Sequence, residues 1–377
     1  MRIGFDGKVI SSRAGGIGTS AFQLVRSCVH EAEKRYPQMT FVLFTGPRTC
    51  LDGIAGGNWS VDARFQTIDS SLLRHLYYIP RGLKAQRVDL FHGLDHIGIP
   101  LFSKVARYVV TIHDVIPLLW PQYVTRKHRF VVAAACRRLR QQADLVIVPS
   151  VATKDDVVRT LRIAPDRIAV IPWGCDERFR PDGVPERLAV AQRKYGLPSR
   201  YLLFVGTLEP RKNLTTLLQA YAILRAERWD EELKLVVVGR KGWLYEEIFE
   251  TVRQLALQQD VIFTDFVADD DLPDLYRGAR LMVFPSLYEG FGLPILEAMA
   301  SGIPVVASNT SSMPEVAGEA ALLIDPRNPQ TMAEAMARVL VDRQFRATLT
   351  RRGIARVQNF TWGSVAEKTL ALYASLG

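Results

Sequence analysis

Short, nearly all-apolar runs alternate with longer helix-forming segments throughout this 377-residue chain, and that alternation sets its fold class. A parallel strand covered on both faces reads as a continuous Val/Ile/Leu run, whereas a half-exposed strand alternates polar and apolar residues. In the first half, residues 2–5, 41–45, 89–91, 108–112 and 144–148 fit that description. In the second half, residues 201–205, 234–238, 261–264, 281–284, 304–307 and 321–324 do. Helical segments fit between them at 19–36, 127–142, 214–227, 245–258, 293–300 and 329–341. Repeated strand–helix–strand alternation predicts an α/β chain of doubly wound domains.

Two such sets are separated by Ile171-Pro-Trp-Gly-Cys-Asp-Glu-Arg-Phe-Arg-Pro-Asp-Gly-Val-Pro185, a Pro- and Gly-rich stretch with no regular period. It predicts a linker near residues 172–185, with one domain over residues 1–178 and another over 179–360. Residues 360–373 read as one more amphipathic helix, with Thr361 as its N-cap. Ligands of open α/β sheets bind outside the carboxyl ends of the strands. With two such domains facing each other, the cleft between them is the expected site.

Composition removes several classes. No stretch has 18 consecutive apolar residues, so no transmembrane helix is expected. The opening Met1-Arg-Ile-Gly-Phe-Asp6 reads as a strand and lacks the apolar stretch of a signal peptide. Cys28, Cys50, Cys136 and Cys175 lie far apart and fit no zinc spacing. Reduced thiols in a cytoplasmic protein are the expectation. The net charge of +9 belongs to the first half: residues 1–180 hold 26 Lys and Arg against 15 Asp and Glu. Arg126-Lys-His-Arg129 and Arg137-Arg-Leu-Arg140 are the densest part. Such asymmetry suits a polyanionic partner, while the plainer reading is a solvated helix face.

Four segments carry chemistry. Ala14-Gly-Gly-Ile-Gly18 lies between the first strand and the first helix. Its glycines allow close backbone approach, and the helix start offers N–H groups to an anion. It matches neither the P-loop nor the dinucleotide fingerprint, and an ordinary turn remains open for it. Gly206-Thr-Leu-Glu-Pro-Arg-Lys-Asn213 follows a strand, and its Arg211 and Lys212 pair a forked donor with a point charge, a combination suited to a diphosphate. Asn213 is a candidate cap for the next helix.

Ser286-Leu-Tyr-Glu-Gly-Phe-Gly-Leu-Pro-Ile-Leu-Glu-Ala-Met-Ala-Ser-Gly-Ile-Pro-Val-Val306 is the third and most informative segment. Pro294 suits N1 of a helix, which puts Glu297 in the first turn, where the dipole favours a negative charge. Glu289 instead lies in a loop broken by Gly290 and Gly292, whose backbone N–H groups would lie near the same ligand. Gly302 is a candidate C-cap. In the fourth segment, Thr111-Ile-His-Asp114, a His-Asp pair at a strand end can act as an oriented acid/base. A structural histidine is the plainer reading. No Cys/His/carboxylate cluster accompanies it, so no metal is expected. The absence of Gly-x-Ser-x-Gly counts against an α/β-hydrolase.

Together these segments resemble the family-4 retaining glycosyltransferases of the GT-B fold. Glu289-x7-Glu297, Gly206-x4-Arg211-Lys-Asn213, Gly15-Gly-Ile-Gly18 and His113 occur in the family's order, over essentially the full length. The resemblance implies two Rossmann-like domains facing across a deep cleft. The N-terminal one would bind the acceptor and the C-terminal one the nucleotide-sugar donor, and residues 361–377 would cross back onto the first. It implies donor contacts from Gly15, Gly16, Gly206, Arg211, Lys212, Gly290, Phe291, Gly292 and Leu293. Glu297 would take the ribose hydroxyls, and Arg240 with Phe266 would border the base. Glu289 and His113, with Arg211 and Lys212, would serve catalysis at the donor sugar, without metal or other cofactor.

The Thr111–Pro121 segment and the Phe91-His-Gly93 turn resemble a branch containing many mannosyltransferases of O-antigen and exopolysaccharide assembly. GDP-mannose is therefore the expected donor, with a UDP-hexose as the alternative. A glycan or lipid-diphosphate-linked oligosaccharide is the expected acceptor. Peripheral attachment to an anionic membrane would use the basic stretch 127–140 and Tyr77, Tyr78, Arg81, Lys84 and Arg87. Two other classes compete: a sugar-nucleotide epimerase or phosphorylase of the same architecture, and a nucleic-acid-binding module. Phosphate-binding elements at strand-to-helix turns speak against nucleic acid, which would need a basic groove with stacking platforms.

Overall fold

A computed structural model gives the architecture. It describes all residues except 11–15, 48, 50, 55, 65–66, 68–69, 97, 101–104 and 228–231, and the side chains of Ser71, Tyr123, Lys127 and His128. The chain divides into two compact units, one of Met1–Gly174 with Phe360–Gly377 and one of Cys175–Asn359. The first division comes a few residues before 178/179. Phe179 packs edge-on against Tyr276 at 5.4 Å, and Arg178 donates to the Asp269 carbonyl, so this stretch is held by the second unit.

In the first unit, described strands β1 (Arg2–Asp6), β2 (Thr40–Phe44), β3 (Trp59–Asp62), β4 (Leu90–Gly93), β5 (Arg107–Thr111), β6 (Leu145–Val148) and β7 (Ile168–Val170) form one parallel sheet ordered β3-β2-β1-β4-β5-β6-β7. In the second, β8 (Tyr201–Val205), β9 (Lys234–Val238), β10 (Val261–Asp265), β11 (Leu281–Phe284), β12 (Val305–Ser308) and β13 (Leu322–Ile324) give the order β10-β9-β8-β11-β12-β13. Strand order therefore reverses between β1 and β4, and again between β8 and β11. Loops leaving those strands flank the crevice where doubly wound sheets hold ligands.

Most of the apolar runs are buried as expected, but β10 and β13, the edge strands of the second sheet, are largely half-buried. Residues of β4, β11 and β12 are buried throughout, and Phe91, Tyr108, Leu139 and Val157 meet in the first core. Leu217, Leu235, Val283 and Met336 meet in the second. Several boundaries differ from the sequence reading. The first helix begins at Gly16, not Thr19, and ends at Arg35. Phe91-His-Gly93 is no turn but the end of β4, because pairing with β5 continues to Gly93 and Val110. Helices Val151–Leu161, Pro185–Tyr195 and Arg343–Val357 are additional.

Thr361 caps the last helix, Trp362–Leu376, by accepting from the Ser364 N–H. That helix packs on the first helix, and its Tyr373 hydroxyl meets Nδ1 of the fully buried His92 at 2.5 Å. Burial of His92 pushes its pKa down to about 3, so the ring is neutral. Its Nε2 pairs with the Thr111 hydroxyl at 2.8 Å. Near the end of β1, Asp6 meets the buried guanidinium of Arg74 at 2.7 Å. Arg74 lies on a π-helical stretch, Arg74–Tyr78, and also donates to the carbonyls of Phe44 and Thr45.

Candidate active site

β8 and β11 deliver the two loops that bring the candidate site residues of the second unit together. After β8, Pro210–Lys212 forms a short 3-10 turn that sets Arg211 and Lys212 side by side. After β11, the chain runs through Glu289 to Gly292, the N-cap of helix Leu293–Ala300. Leu287 N–H donates to the Arg211 carbonyl at 2.9 Å and ties one loop to the other. Asn213 adds a second tie. Its side chain does not cap a helix N–H, as the sequence suggested. Nδ2 donates instead to the Pro285 and Pro326 carbonyls at 3.1 and 2.6 Å, and Oδ1 takes the Thr216 hydroxyl.

Both Glu289 oxygens face cations. Oε1 lies 2.6 Å from Lys212 Nζ, and Oε2 lies 2.8 Å from Arg211 Nη1. Arg211 also donates to the Tyr288 carbonyl at 2.6 Å and pairs with the buried Glu209. Burial would raise the Glu289 pKa, but the two cations outweigh it and hold the carboxyl at about 2. Glu289 is therefore a carboxylate. Burial lowers the Lys212 pKa, and Glu289 opposes that shift. Side chains of Arg211, Lys212 and Glu289 are each 11–12% exposed, so this charged cluster is accessible only over a narrow face.

Glu297 has different surroundings. Its helix spans Leu293–Ala300 as the sequence predicts, but Leu293 and not Pro294 is its first residue, so no acidic residue occupies the first turn. The helix-dipole explanation for Glu297 therefore fails. Tyr276 holds it instead, its hydroxyl donating to Oε2 at 2.7 Å. Burial raises this carboxyl to about 7, with Tyr276 opposing and Asp176 assisting. Two carboxyls eight positions apart thus sit at opposite ends of the carboxylate range.

Residues that the sequence reading missed shape the loop. Thr310 donates to the Leu287 carbonyl, Ser311 and Ser312 donate to that of Glu289, and Ser312 also reaches that of Phe291. Gly239, at the end of β9, was also missed. A Cβ there would meet the Gly206 carbonyl at 1.9 Å, and its φ of +151° suits glycine. This close approach lets the loops after β8 and β9 pair onward, with Leu208 N–H donating to the Arg240 carbonyl at 2.9 Å. The Arg240 guanidinium lies 4.4 Å from the centre of the half-exposed Phe266 ring.

In the first unit, His113 is buried and stands against Trp173 at 5.7 Å. Its Nε2 lies 2.9 Å from the Leu94 carbonyl, which assigns the proton to Nε2 and leaves Nδ1 as acceptor. Burial lowers its pKa. The His-Asp pair does not act as one oriented unit. Asp114 accepts from the Ile116 N–H, and the Leu94 carbonyl orients the ring. Gly16 opens the first helix, and a Cβ there would meet nothing within 4 Å. Gly15 lies outside the described residues.

Residues 14–179 match the family described as Glycosyltransferase Family 4, and residues 191–356 match Glycosyl transferases group 1. The chain is 34% identical over 287 residues to the O-antigen chain mannosyltransferase B of Escherichia coli, covering 76% of this chain and 74% of that protein. The chain is a family-4 glycosyltransferase. A second relative, the serotype-specific mannosyltransferase WbdA of Escherichia coli, is 32% identical over 74% of this glycosyltransferase, which matches 35% of that longer protein. The crystal structure of Anabaena HepE in complex with UDP-glucose superposes with a TM-score of 0.75 at 21% identity, covering all of both chains. The fold of this glycosyltransferase is thus GT-B, built from two Rossmann-like α/β units. Among its described residues no group of three or more His, Cys, Asp or Glu side chains is placed to hold a metal ion. No described helix is long and apolar enough to cross a membrane.

Proposed function

We propose that this glycosyltransferase moves mannose from GDP-mannose onto a glycan or lipid-diphosphate-linked oligosaccharide, with retention of anomeric configuration, in cell-surface polysaccharide assembly. The observation that carries the donor-site assignment is the bridging of Arg211 and Lys212 by Glu289 at the β8/β11 switch point. Both relatives described above are named mannosyltransferases, which supports the sugar.

Breaking the anomeric C–O bond builds positive charge on the sugar and negative charge on the departing diphosphate. Arg211 and Lys212 stabilise that diphosphate, assisted by Gly16, Gly206 and the backbone from Gly290 to Leu293. Glu289 keeps the two cations in place, and the remaining lone pairs of its oxygens accept from the sugar hydroxyls. Nδ1 of His113 accepts from a sugar hydroxyl. Ribose hydroxyls donate to Glu297, and the base lies by Arg240 and Phe266. The acceptor hydroxyl attacks C1 on the face the diphosphate leaves. Its proton passes to the departing phosphate oxygen, so the new C–O bond forms as the old one breaks. No step calls for a metal.

A UDP-hexose is the second reading, favoured by the fold shared with the UDP-glucose complex of HepE. Isothermal titration with GDP and UDP separates the two. Tighter GDP binding, together with GDP release from GDP-mannose only when acceptor is present, is the expected result. Preference for UDP refutes the mannose donor, and acceptor-independent turnover points to an epimerase or hydrolase. The acceptor side is proposed to meet an anionic membrane, because Phe130 is 76% exposed on the basic helix Arg126–Gln142 and Leu72 and Tyr77 are also exposed. Flotation with anionic vesicles at low salt checks this, and failure to float would count against it.

A further inference from the structure

At the opposite end of the second sheet from Glu289, an open pocket of about 680 Å³ lies beneath helix Arg343–Val357. Arg280 immediately precedes β11, and the turn Ser301–Pro304 immediately precedes β12, so both belong to the amino ends of these strands. Arg343, Arg346 and Arg351 line one wall at helical spacing, which brings their side chains to one face. Arg277 and Arg280 stand across from them.

Five guanidinium groups therefore share one pocket, and no carboxylate is among the residues that line it. Two are anchored: Arg277 pairs with Asp274, and Arg346 donates to the Leu340 carbonyl at 3.0 Å. Arg280, Arg343 and Arg351 are exposed and have no ion-pair partner among the described residues. Crowding like charges is unfavourable, and guanidinium forks match phosphate oxygens geometrically.

A second observation points the same way. Ser301 lines the pocket, is 4% exposed, and its buried hydroxyl has no hydrogen-bond partner. Leaving a buried hydroxyl unpaired costs about 1–3 kcal/mol, so such groups call for an explanation. Rotation of the Ser301 side chain toward the pocket would let its hydroxyl meet an acceptor oxygen there.

We propose that this pocket binds a phosphate-bearing polyanion, with the arginines as counter-charges and the unpaired Ser301 hydroxyl as a donor. Free diphosphate and the phosphoryl headgroups of a membrane present the same chemistry. The site is separate from the donor loops, and its binding does not depend on the donor assignment.

Inorganic diphosphate and phosphatidylglycerol vesicles are the two probes. Titration of the Arg211→Ala/Lys212→Ala variant with inorganic diphosphate isolates this pocket from the β8/β11 loops. Binding should weaken by about tenfold or more for each of Arg280→Ala and Arg351→Ala, the effect of losing one charge-assisted bond apiece. Ser301→Ala should weaken it severalfold without lowering Tm, which separates lost binding from lost folding. Vesicle flotation of the same proteins identifies the source. Arginine-dependent heat with diphosphate assigns a free phosphate ligand, and arginine-dependent flotation without such heat assigns a headgroup. The proposal is overturned if neither response depends on Arg280 and Arg351.

Discussion

The ammonium of Lys212 sits 2.6 Å from the carboxylate of Glu289, although 77 residues separate them in the chain. Each belongs to a loop leaving one of the two strands where the second sheet reverses its order, so the contact joins both flanks of the crevice. Lys212→Ala should reduce turnover by about 100-fold or more, the range seen for loss of one electrostatic stabiliser. Glu289→Ala should do the same by releasing both cations from their positions. Nucleoside diphosphate release under saturating donor is the readout, and near-normal turnover in either variant would remove that residue from the mechanism.

Glu297 gives a pH dependence with a definite sign. Its folded-state pKa, about 7, lies above the ordinary carboxyl value of 4.5. Its contribution to stability is therefore fully present below about 4.5 and is lost as pH rises through about 7. Donor binding should run the other way, because a ribose hydroxyl donates better to the ionised form. Between pH 6 and pH 8, affinity should rise by about tenfold as the carboxyl ionises. In Glu297→Gln, both trends should flatten in paired titration and melting measurements. A wild-type affinity that is level across this range would contradict the ribose role.

Arg74 is fully buried against Asp6, whose pKa stays at about 2 because His75 and Arg74 outweigh the rise that burial would cause. Removing Arg74 leaves the buried Asp6 carboxylate with His75 as its remaining ion-pair partner. Arg74→Met should cost about 3–5 kcal/mol in urea unfolding. Combining it with Asp6→Asn should cost less than the two single changes added together. For Asp6 the sign is opposite to that of Glu297: its contribution is present above about 3.8 and disappears as pH falls through about 2.

Gly239 sets the distance between the loops after β8 and β9. A methyl group there meets a carbonyl oxygen that belongs to Gly206, and backbone cannot swing aside as a side-chain end can. Gly239→Ala should destabilise the fold by about 1–3 kcal/mol, the scale of a strained backbone position. It should also weaken nucleotide binding, because Arg240 follows directly and stacks on Phe266. Melting temperature and nucleotide titration on the same preparation test both effects.

What could be read from the sequence depended on whether the signal was local. Buried parallel strands such as β8 and β11 announce themselves as apolar runs, and Thr361 marks its helix by capping chemistry. Gly302 was legible as a helix end: the helix closes with Gly302 N–H to Met299 and Ile303 N–H to Ala298. β3 was missed because two of its four residues are exposed and it lies at the sheet edge. Helix Arg343–Val357 was missed because only Leu349 and Gly353 are buried, so no apolar stripe forms. The Arg211, Lys212 and Glu289 residue types were legible, but their mutual pairing was not. Nor was the use of Ser311 and Ser312 to hold a loop more than 20 residues away, since hydroxyl donors leave no periodic trace.

The tie between His92 and Tyr373 constrains the order in which the molecule can be finished. Residues 360–377 leave the ribosome after all of 175–359, so the second unit has its whole sequence available before the first one does. Until then, His92 lacks its hydroxyl partner and the face of the first helix that receives Trp362–Leu376 stays uncovered. A nascent chain would therefore hold an almost complete first unit open through the synthesis of the second. A stop codon shortly before Tyr373 would damage the part of the protein made first.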